Sequence, residues 1–187
     1  MDYKSLYQTA FSNVSYSNDH HIQYDYVIDK IKIIYSPEDT FELIDIGSGR
    51  GQLLQLVSSH FKNAILTSVD LQKIHDVTVS YFIECDLSKE SDRVALLNKR
   101  YDVLVCTDVL EHLDKSFILD VFDTFSKLSN KSILAIANHS DVLNGVELHT
   151  IQEDNQWWET YIKKFYTIED AVSAYYGRLF MYTVKSL

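Results

Sequence analysis

A glycine-rich turn is the part of this sequence where residue types and spacing first suggest chemistry. Three of the five glycines, Gly47, Gly49 and Gly51, fall within five residues of one another. Glycine permits positive φ angles and lets the backbone approach a ligand closely. The turn joins an apolar segment typical of a strand, 41–46, to an amphipathic segment typical of a helix, 51–60. Open α/β sheets bind nucleotide-like ligands at such a turn.

The spacing within the turn separates the ligand classes that use this geometry. A P-loop requires a lysine and a serine or threonine after the last glycine, whereas Gln52 and Leu53 stand there. The dinucleotide pattern would need a glycine at position 52. What remains is Asp-x-Gly-x-Gly-x-Gly, beginning at Asp45. This pattern resembles motif I of the class I S-adenosylmethionine-dependent methyltransferases.

Three later positions carry the same resemblance, which spans residues 41–137. Asp70 directly follows a predicted strand and lies about 20 residues beyond the glycines, where a carboxylate commonly holds ribose hydroxyls. Asp86 follows the third predicted strand, at the place where the family holds adenine with an acidic residue. The segment 106–113 follows the fourth strand and contains the Glu-His pair that the family often shows there.

The resemblance implies S-adenosyl-L-methionine as the cofactor and assigns a set of residues to it. The implied cofactor-binding residues are Asp45, Gly47, Ser48, Gly49, Gly51, Asp70, Leu71, Asp86, Leu87 and Thr107. Asp45 and the glycines are expected on the methionine side, where an acidic pocket suits the cationic sulfonium. Asp70 is expected to take the ribose and Asp86 the adenine. Thr107 is expected near the cofactor, beneath the acceptor.

Methyl transfer is an in-line attack on an activated methyl group, so much of the catalysis can come from positioning the acceptor. A general base is needed only if the acceptor must lose a proton. His112 is the first candidate for that base, with Glu111 next to it. In this family a Glu-His pair also packs against the cofactor without acting as a base. The alternative acceptor-side groups are Tyr16, Asp19, His20 and His21.

A mixed nitrogen and oxygen ligand set offers an alternative to metal-free transfer. The carboxylates of Asp108 and Glu111, together with His112 and either His139 or His149, suit a divalent cation. Their spacing resembles that of metal-dependent small-RNA 2′-O-methyltransferases, although Asp108 stands where those enzymes carry glutamate. We assign no residue to a metal, leave open whether a metal is used, and keep a metal-assisted RNA 2′-O-methyltransferase as an alternative. A third possibility is a catalytically silent S-adenosylmethionine-binding protein.

The elements that must position these residues alternate along the chain. Strands are predicted at 41–46, 64–69, 79–84, 101–106 and 132–137. Helices are predicted within 1–35 and at 51–60, 89–100, 114–128 and about 154–164, with Ser88 capping the helix at 89–100. This alternation predicts an α/β, Rossmann-like fold with a mostly parallel central sheet and helices on both faces.

The C-terminal part breaks the alternation. Two strand-like runs, 170–176 and 179–185, meet at Gly177-Arg178 and predict an antiparallel hairpin. We expect one domain over 1–187, with a helical lid at 1–40, a cofactor-binding core at 41–137, and an acceptor-facing segment with the hairpin at 138–187. The pair Trp157-Trp158 is expected either to line the acceptor or to pack a helix on the sheet.

Composition narrows the partners. The 187-residue chain carries a net charge of −10. Nucleic-acid binding gains free energy when Lys and Arg side chains displace counterions from phosphates, and an acidic protein lacks this gain. A small-molecule or glycan acceptor is therefore expected rather than nucleic acid. Two cysteines, no apolar signal segment and no membrane-length apolar run predict a cytoplasmic protein without a membrane partner. Oxygen, nitrogen and carbon acceptors, and the oligomeric state, stay open.

Overall fold

The computed structural model describes residues 21–74 and 77–187. The candidate groups Tyr16, Asp19 and His20 lie outside the described residues. Five helices are described: α1 (Ile22–Ile34), α2 (Gln52–His60), α3 (Glu90–Leu96), α4 (Ile118–Leu128) and α5 (Asn155–Ile162). The described strands are β1 (Glu42–Ile46), β2 (Ile65–Asp70), β3 (Tyr81–Glu84), β4 (Val103–Thr107), β5 (Lys131–Ala137), β6 (Val142–Leu143), β7 (Val146–Glu147), β8 (Tyr166–Ala174) and β9 (Leu179–Ser186).

Seven strands form the main sheet in the order β3-β2-β1-β4-β5-β9-β8. The first five are parallel, whereas β9 runs antiparallel between β5 and β8. The strand order reverses between β1 and β4, which opens a crevice at their carboxyl ends. The predicted Rossmann-like α/β fold, including its C-terminal antiparallel hairpin, is confirmed.

The central strands are buried on both faces because helices cover both sides. Leu43 of β1 packs in a cluster with Val27 of α1 and residues of α2. The neighbouring Ile44 faces the opposite cluster, which contains Phe122 of α4 and Trp158 of α5. Successive side chains of a strand point to opposite faces, so the continuous apolar runs in the sequence serve both layers.

One predicted helix is shorter than expected. The helix predicted at 89–100 ends at Leu96, where the Asn98 side-chain amide donates to the Ala95 carbonyl, 2.9 Å away. The predicted cap at Ser88 was wrong, since Lys89 occupies the cap position without a side-chain bond. The Ser88 hydroxyl instead donates to Oδ1 of Asp86 over 2.6 Å.

Further details depart from the predicted elements, and one is that β8 runs over Tyr166–Ala174 rather than 170–176. The helix predicted at 114–128 begins as a 3₁₀ turn at Lys115–Phe117 and becomes α-helical only at Ile118. A small hairpin of β6 and β7, which was not predicted, turns at Asn144 and Gly145 with φ angles of 52° and 79°. An Asn-Gly pair favours this turn because both positions need positive φ. Among the described residues, no helix has the length and apolar character to cross a bilayer.

Candidate active site

The glycine turn is shaped by its backbone contacts. Gly47, Gly49 and Gly51 adopt φ angles of 77°, 52° and 74°. A side chain at Gly47 has no room, since an added Cβ would lie 2.1 Å from a methyl carbon of Val109. The amide of Gly51 donates to the Ser48 carbonyl over 2.8 Å and closes the turn just before α2. Glycine is therefore required here by conformation and by space.

The turn is tied to the end of the neighbouring strand β2. The amides of Gly47 and Ser48 both donate to the Val69 carbonyl, at 2.8 and 3.1 Å. Asp70 accepts the Gly49 amide at Oδ2, over 2.8 Å, and the Leu71 amide at Oδ1, over 2.7 Å. The carboxylate predicted to hold ribose thus lies against the glycine turn.

A first cavity follows the carboxyl ends of β1, β2 and β3. Its walls include six of the predicted cofactor-binding residues: Gly47, Gly49, Asp70, Leu71, Asp86 and Leu87. Oδ1 of Asp86 accepts hydrogen bonds from the amide and hydroxyl of Ser88, so this carboxylate also orders its own turn. We refer to this space as the cofactor cleft.

A second cavity, of about 590 Å³, adjoins the cofactor cleft. Its walls include the predicted residues Asp45, Ser48 and Thr107. Further lining residues are His21, directly before α1, and several residues of the chain after β5, among them His139, Asp141, His149 and Arg178. Four residues line both spaces: Gly47, Gly49, Asp108 and His112. Gly51 lines neither cavity, and its amide closes the glycine turn by its hydrogen bond to the Ser48 carbonyl.

Asp45 is a buried carboxylate near the end of β1, just before the glycine turn. Burial, with a contribution from the nearby charge of Asp70, raises the pKa of Asp45 to about 7. Its Oδ2 has no hydrogen-bond partner in the described structure. A buried oxygen without a partner fits a ligand that carries a donor or a positive charge at this point.

His112 lies where the two cavities meet. Its Nδ1 is 3.1 Å from the Leu148 carbonyl, and its ring meets the His149 ring edge-on with centroids 4.6 Å apart. Burial and the neighbouring His149 lower the pKa of His112 to about 4. The imidazole is therefore neutral at physiological pH and offers a lone pair rather than a proton.

Glu111, the second predicted catalytic residue, lies beneath the cavities rather than on their walls. Its side chain is fully buried, and Oε1 accepts the amide of Ala137 over 3.0 Å. Its Oε2 has no hydrogen-bond partner in the described structure. Burial, reinforced by Asp108, holds the pKa of Glu111 well above its ordinary value. The adjacent residues Glu111 and His112 therefore occupy different environments.

Helix α1 covers part of the second cavity and contributes residues that the sequence analysis missed. Gln23 is buried and donates to Oδ2 of Asp108 over 2.5 Å, and Tyr24 also lines the cavity. Asp108 itself has a φ of 54°, a left-handed conformation that is uncommon outside glycine. Since Gln23 and Asp108 are 85 residues apart, no local pattern predicts their contact.

The tryptophan pair has a packing role in this structure. Trp158 is completely buried in the cluster beneath α4 and α5. Trp157 packs against Trp158 and Tyr161, with ring centroids 4.9 and 4.4 Å apart. Neither tryptophan lines the two cavities, so of the two expectations for this pair, packing on the sheet is the one observed.

The strand order and the glycine turn at the switch point define a Rossmann-like protein with a nucleoside-type cofactor cleft. A family model described as "Methyltransferase domain" matches residues 19–171. The chain belongs to this family, the class I S-adenosylmethionine-dependent methyltransferases.

Curated relatives and solved structures agree with this assignment. The ubiquinone biosynthesis O-methyltransferase of Rickettsia typhi is 27% identical over 112 residues, which cover 54% of this chain and 43% of the relative. The chain thus spans less than half of that relative. The Rickettsia canadensis protein of the same name is 24% identical over 147 residues, covering 69% of this chain and 61% of the relative.

Two solved structures show the same fold. The N-methyltransferase NodS from Bradyrhizobium japonicum, in complex with S-adenosyl-L-homocysteine, has a TM-score of 0.69 at 12% identity, covering 98% of this chain and 97% of that one. The 1,6-didemethyltoxoflavin-N1-methyltransferase from Burkholderia thailandensis has a TM-score of 0.69 at 13% identity, covering 99% and 85%.

Proposed function

We propose that this protein transfers a methyl group from S-adenosylmethionine to a hydroxyl group of a small-molecule acceptor. The observation that carries the proposal is the meeting of the cofactor cleft with the second cavity at Gly47, Gly49, Asp108 and His112. An acceptor in the second cavity lies next to the cofactor there. Holding two reactants side by side supplies much of the rate of such a reaction.

The residues of the cleft divide the work of holding the cofactor. Asp70 is proposed to hold the ribose and Asp86 the adenine, since both carboxylates line the cleft, Asp70 at the end of β2 and Asp86 two residues after β3. Asp45 is proposed to face the methionine part, where a positive charge favours its ionised form. When bound, S-adenosylmethionine supplies an already activated methyl group.

Two histidines of the second cavity are proposed to position the acceptor hydroxyl and to remove its proton. His112 is a weak base, because a pKa of about 4 leaves little affinity for a proton. We therefore assign His112 to positioning the acceptor through its lone pair. His139 lines the second cavity, and its Nδ1 lies 3.1 Å from the Ser140 carbonyl, which keeps Nε2 as a proton acceptor. We assign proton removal to His139.

The size of the cavity and the names of the relatives support the proposed class of acceptor. A volume of about 590 Å³, shared with part of the cofactor, suits a small molecule or a single sugar unit. The Rickettsia relatives are named as O-methyltransferases, which supports a hydroxyl acceptor. A glycan-type acceptor is the narrower form of this proposal. The net charge of −10 disfavours RNA.

The first test measures cofactor binding by calorimetric titration with S-adenosylmethionine, S-adenosylhomocysteine and NAD. Both sulfur ligands are expected to bind and NAD is not. Asp70→Ala should abolish binding. Asp102→Ala is the matched control, because Asp102 is an exposed carboxylate that accepts the Glu42 amide at the amino ends of the strands. Failure of both sulfur ligands to bind the wild-type protein would overturn the proposal.

The second test measures formation of S-adenosylhomocysteine with panels of phenols, sugars and short RNAs. Turnover is expected with hydroxyl-bearing small molecules and should fall at least tenfold in His139→Gln. Turnover with RNA alone would favour the RNA methyltransferase instead. Tight cofactor binding without turnover on any panel would favour a binding protein without catalysis.

A further inference from the structure

The turn between β8 and β9, residues 175–178, forms the outer part of the wall of the second cavity. Tyr175 and Arg178 line this cavity, as does Leu179 at the start of β9. Tyr175 and Arg178 are exposed, whereas all other residues that line the cavity are buried or half-buried. These two side chains therefore lie where the cavity opens to solvent. We refer to residues 175–178 as the mouth turn.

The mouth turn has an unfavourable backbone conformation at two tyrosines. Tyr175, Tyr176 and Gly177 adopt φ angles of 50°, 58° and 84°. A left-handed backbone is unfavourable for a residue with a side chain, and glycine, asparagine or aspartate usually stands there. Tyr175 and Tyr176 therefore occupy positions where other residues would be less strained. Backbone strain of this kind is concentrated at active sites and ligand-binding sites.

Hydrogen bonds hold the mouth turn in place. The amides of Gly177 and Arg178 both donate to the Ala174 carbonyl, over 3.1 and 3.2 Å. The backbone amide of Asn138 donates to the Arg178 carbonyl over 2.7 Å, and its side-chain amide donates to the Gly177 carbonyl over 3.1 Å. Asn138 directly precedes His139, to which proton removal is assigned. The mouth turn is therefore fixed relative to the group that receives the acceptor proton.

The arginines of the chain divide into two pairs. Arg93 and Arg100 line neither cavity, and the guanidinium of each donates to another side chain. Arg50 and Arg178 both line the second cavity. Among the residues that the structure describes, the Arg178 guanidinium has no hydrogen-bond or ion-pair partner. Since a guanidinium binds a carboxylate or phosphate through two parallel hydrogen bonds, Arg178 can receive such a group at the cavity mouth.

The carboxylates of the second cavity determine which end of an acceptor can carry negative charge. Asp45, Asp108 and Asp141 line the cavity, and each is buried or half-buried. Like charges repel more strongly where water is largely excluded, so these carboxylates disfavour an anion in the inner part of the cavity. An anionic group is therefore favoured beside the exposed Arg178, with the uncharged part of the acceptor inside.

We propose that Tyr175 and Arg178 select a hydroxyl acceptor that carries a carboxylate or phosphate group. Arg178 binds this group at the cavity mouth, and the Tyr175 ring packs against the carbon skeleton behind it. An aromatic side chain presents a broad apolar face for such packing. This selectivity rests on the proposed function, because it concerns the acceptor of the same cavity. The bound acceptor points its hydroxyl inward, toward His139 and the cofactor cleft.

The test measures the binding of two matched pairs of probes to the protein saturated with S-adenosylhomocysteine, by ligand-observed NMR titration. The pairs are para-hydroxybenzoate with para-hydroxybenzyl alcohol, and glucose 6-phosphate with glucose. In at least one pair, the anionic member is expected to bind the wild type about tenfold more tightly than the neutral member. The pair that shows the preference identifies the anionic group as a carboxylate or a phosphate.

Four variants locate the preference. Arg178→Gln should remove it, and Arg178→Lys should retain part of it because lysine keeps the charge but lacks the planar fork. Tyr175→Ala should weaken the binding of both members of the pair. Tyr176→Ala is its matched control, since Tyr176 also has a left-handed backbone but lines neither cavity. Arg100→Gln is the control for Arg178→Gln, since Arg100 is also exposed and lines neither cavity.

The outcomes separate this selectivity from the proposed function. Equal binding of anionic and neutral probes by the wild type, no binding of either anionic probe, or an unchanged preference in Arg178→Gln overturns the selectivity, even where S-adenosylhomocysteine binds and methyl transfer is measured. Failure of S-adenosylhomocysteine to bind the wild type overturns the proposed function and the selectivity with it. The circular dichroism spectrum of each variant reports whether the fold is intact. Should Arg178→Gln fail to fold, a smaller preference in Arg178→Lys than in the wild type decides.

Discussion

Replacing Asp45 by asparagine is expected to remove much of the pH dependence of stability between about pH 4 and pH 7. Asp45 is completely buried at the end of β1, and burial together with the charge of Asp70 raises its pKa from 3.8 to about 7. Within that window the folded protein keeps a proton that the unfolded chain has released. The resulting stability is fully present below pH 3.8 and is lost as the pH rises through 7.

The size of the effect follows from the pKa difference. A shift of about 3 pKa units, at about 1.36 kcal/mol per unit, means that the titration of Asp45 contributes at most about 4 kcal/mol to the free energy of unfolding. Urea unfolding of wild type and Asp45→Asn at pH 5 and pH 8 measures it. Because about two of the three pKa units of the shift lie above pH 5, the wild type is expected to lose about 2–3 kcal/mol more stability than the variant over this interval.

The experiment compares how the free energy of unfolding of each protein changes between pH 5 and pH 8. Any effect of the asparagine amide that is the same at both pH values therefore cancels. Other buried acids with raised pKa values, such as Asp108 and Glu111, contribute equally to both proteins. Asp102→Asn, at an exposed carboxylate, should follow the wild type. Parallel stability curves for wild type and Asp45→Asn would refute the reasoning, since they would mean that Asp45 titrates at its ordinary pKa when folded.

Two further substitutions test packing. Gly47→Ala should cost about 1–2 kcal/mol for its positive φ and about 1–3 kcal/mol more for the contact with Val109, whereas Gly145→Ala, with a similar φ and open space, should cost only the first amount. Equal losses in denaturant unfolding would contradict the crowding at Gly47. Trp158→Ala should cost about 3–5 kcal/mol because Trp158 is fully buried, while the half-buried Trp157 should cost clearly less. A larger loss of stability for Trp157→Ala than for Trp158→Ala would contradict the assignment of Trp158 as the buried residue of the pair.

Local patterns were sufficient to predict most of the fold. The runs 41–46 and 132–137 predicted strands, and because parallel strands are buried on both faces, their continuous apolar character also predicted the layers on either side. The position of Asp70 beside the glycine turn followed as well. Its strand pairs directly with β1, so the carboxyl ends of the two strands meet at one edge.

Element boundaries depended on side-chain partners that no periodicity records. Ser88 was predicted to cap a helix, yet its hydroxyl bonds to Asp86 and the helix starts one residue later. The Asn144-Gly145 hairpin was missed because its strands, at two residues each, are too short to show alternation.

The sequence by itself determined the Rossmann-like sheet, the glycine turn and the edge where acidic side chains gather, since these depend on residue type and short-range spacing. Only the tertiary structure decided that Glu111 lies beneath the cavity while His112 faces it, and which of the two later histidines named from the sequence, His139 or His149, joins them: it is His149. The 3₁₀ turn sends adjacent side chains in different directions, and the path of the chain after β5 brings His149 back to them. Contacts between residues so far apart depend on how loops pack, which local spacing does not encode.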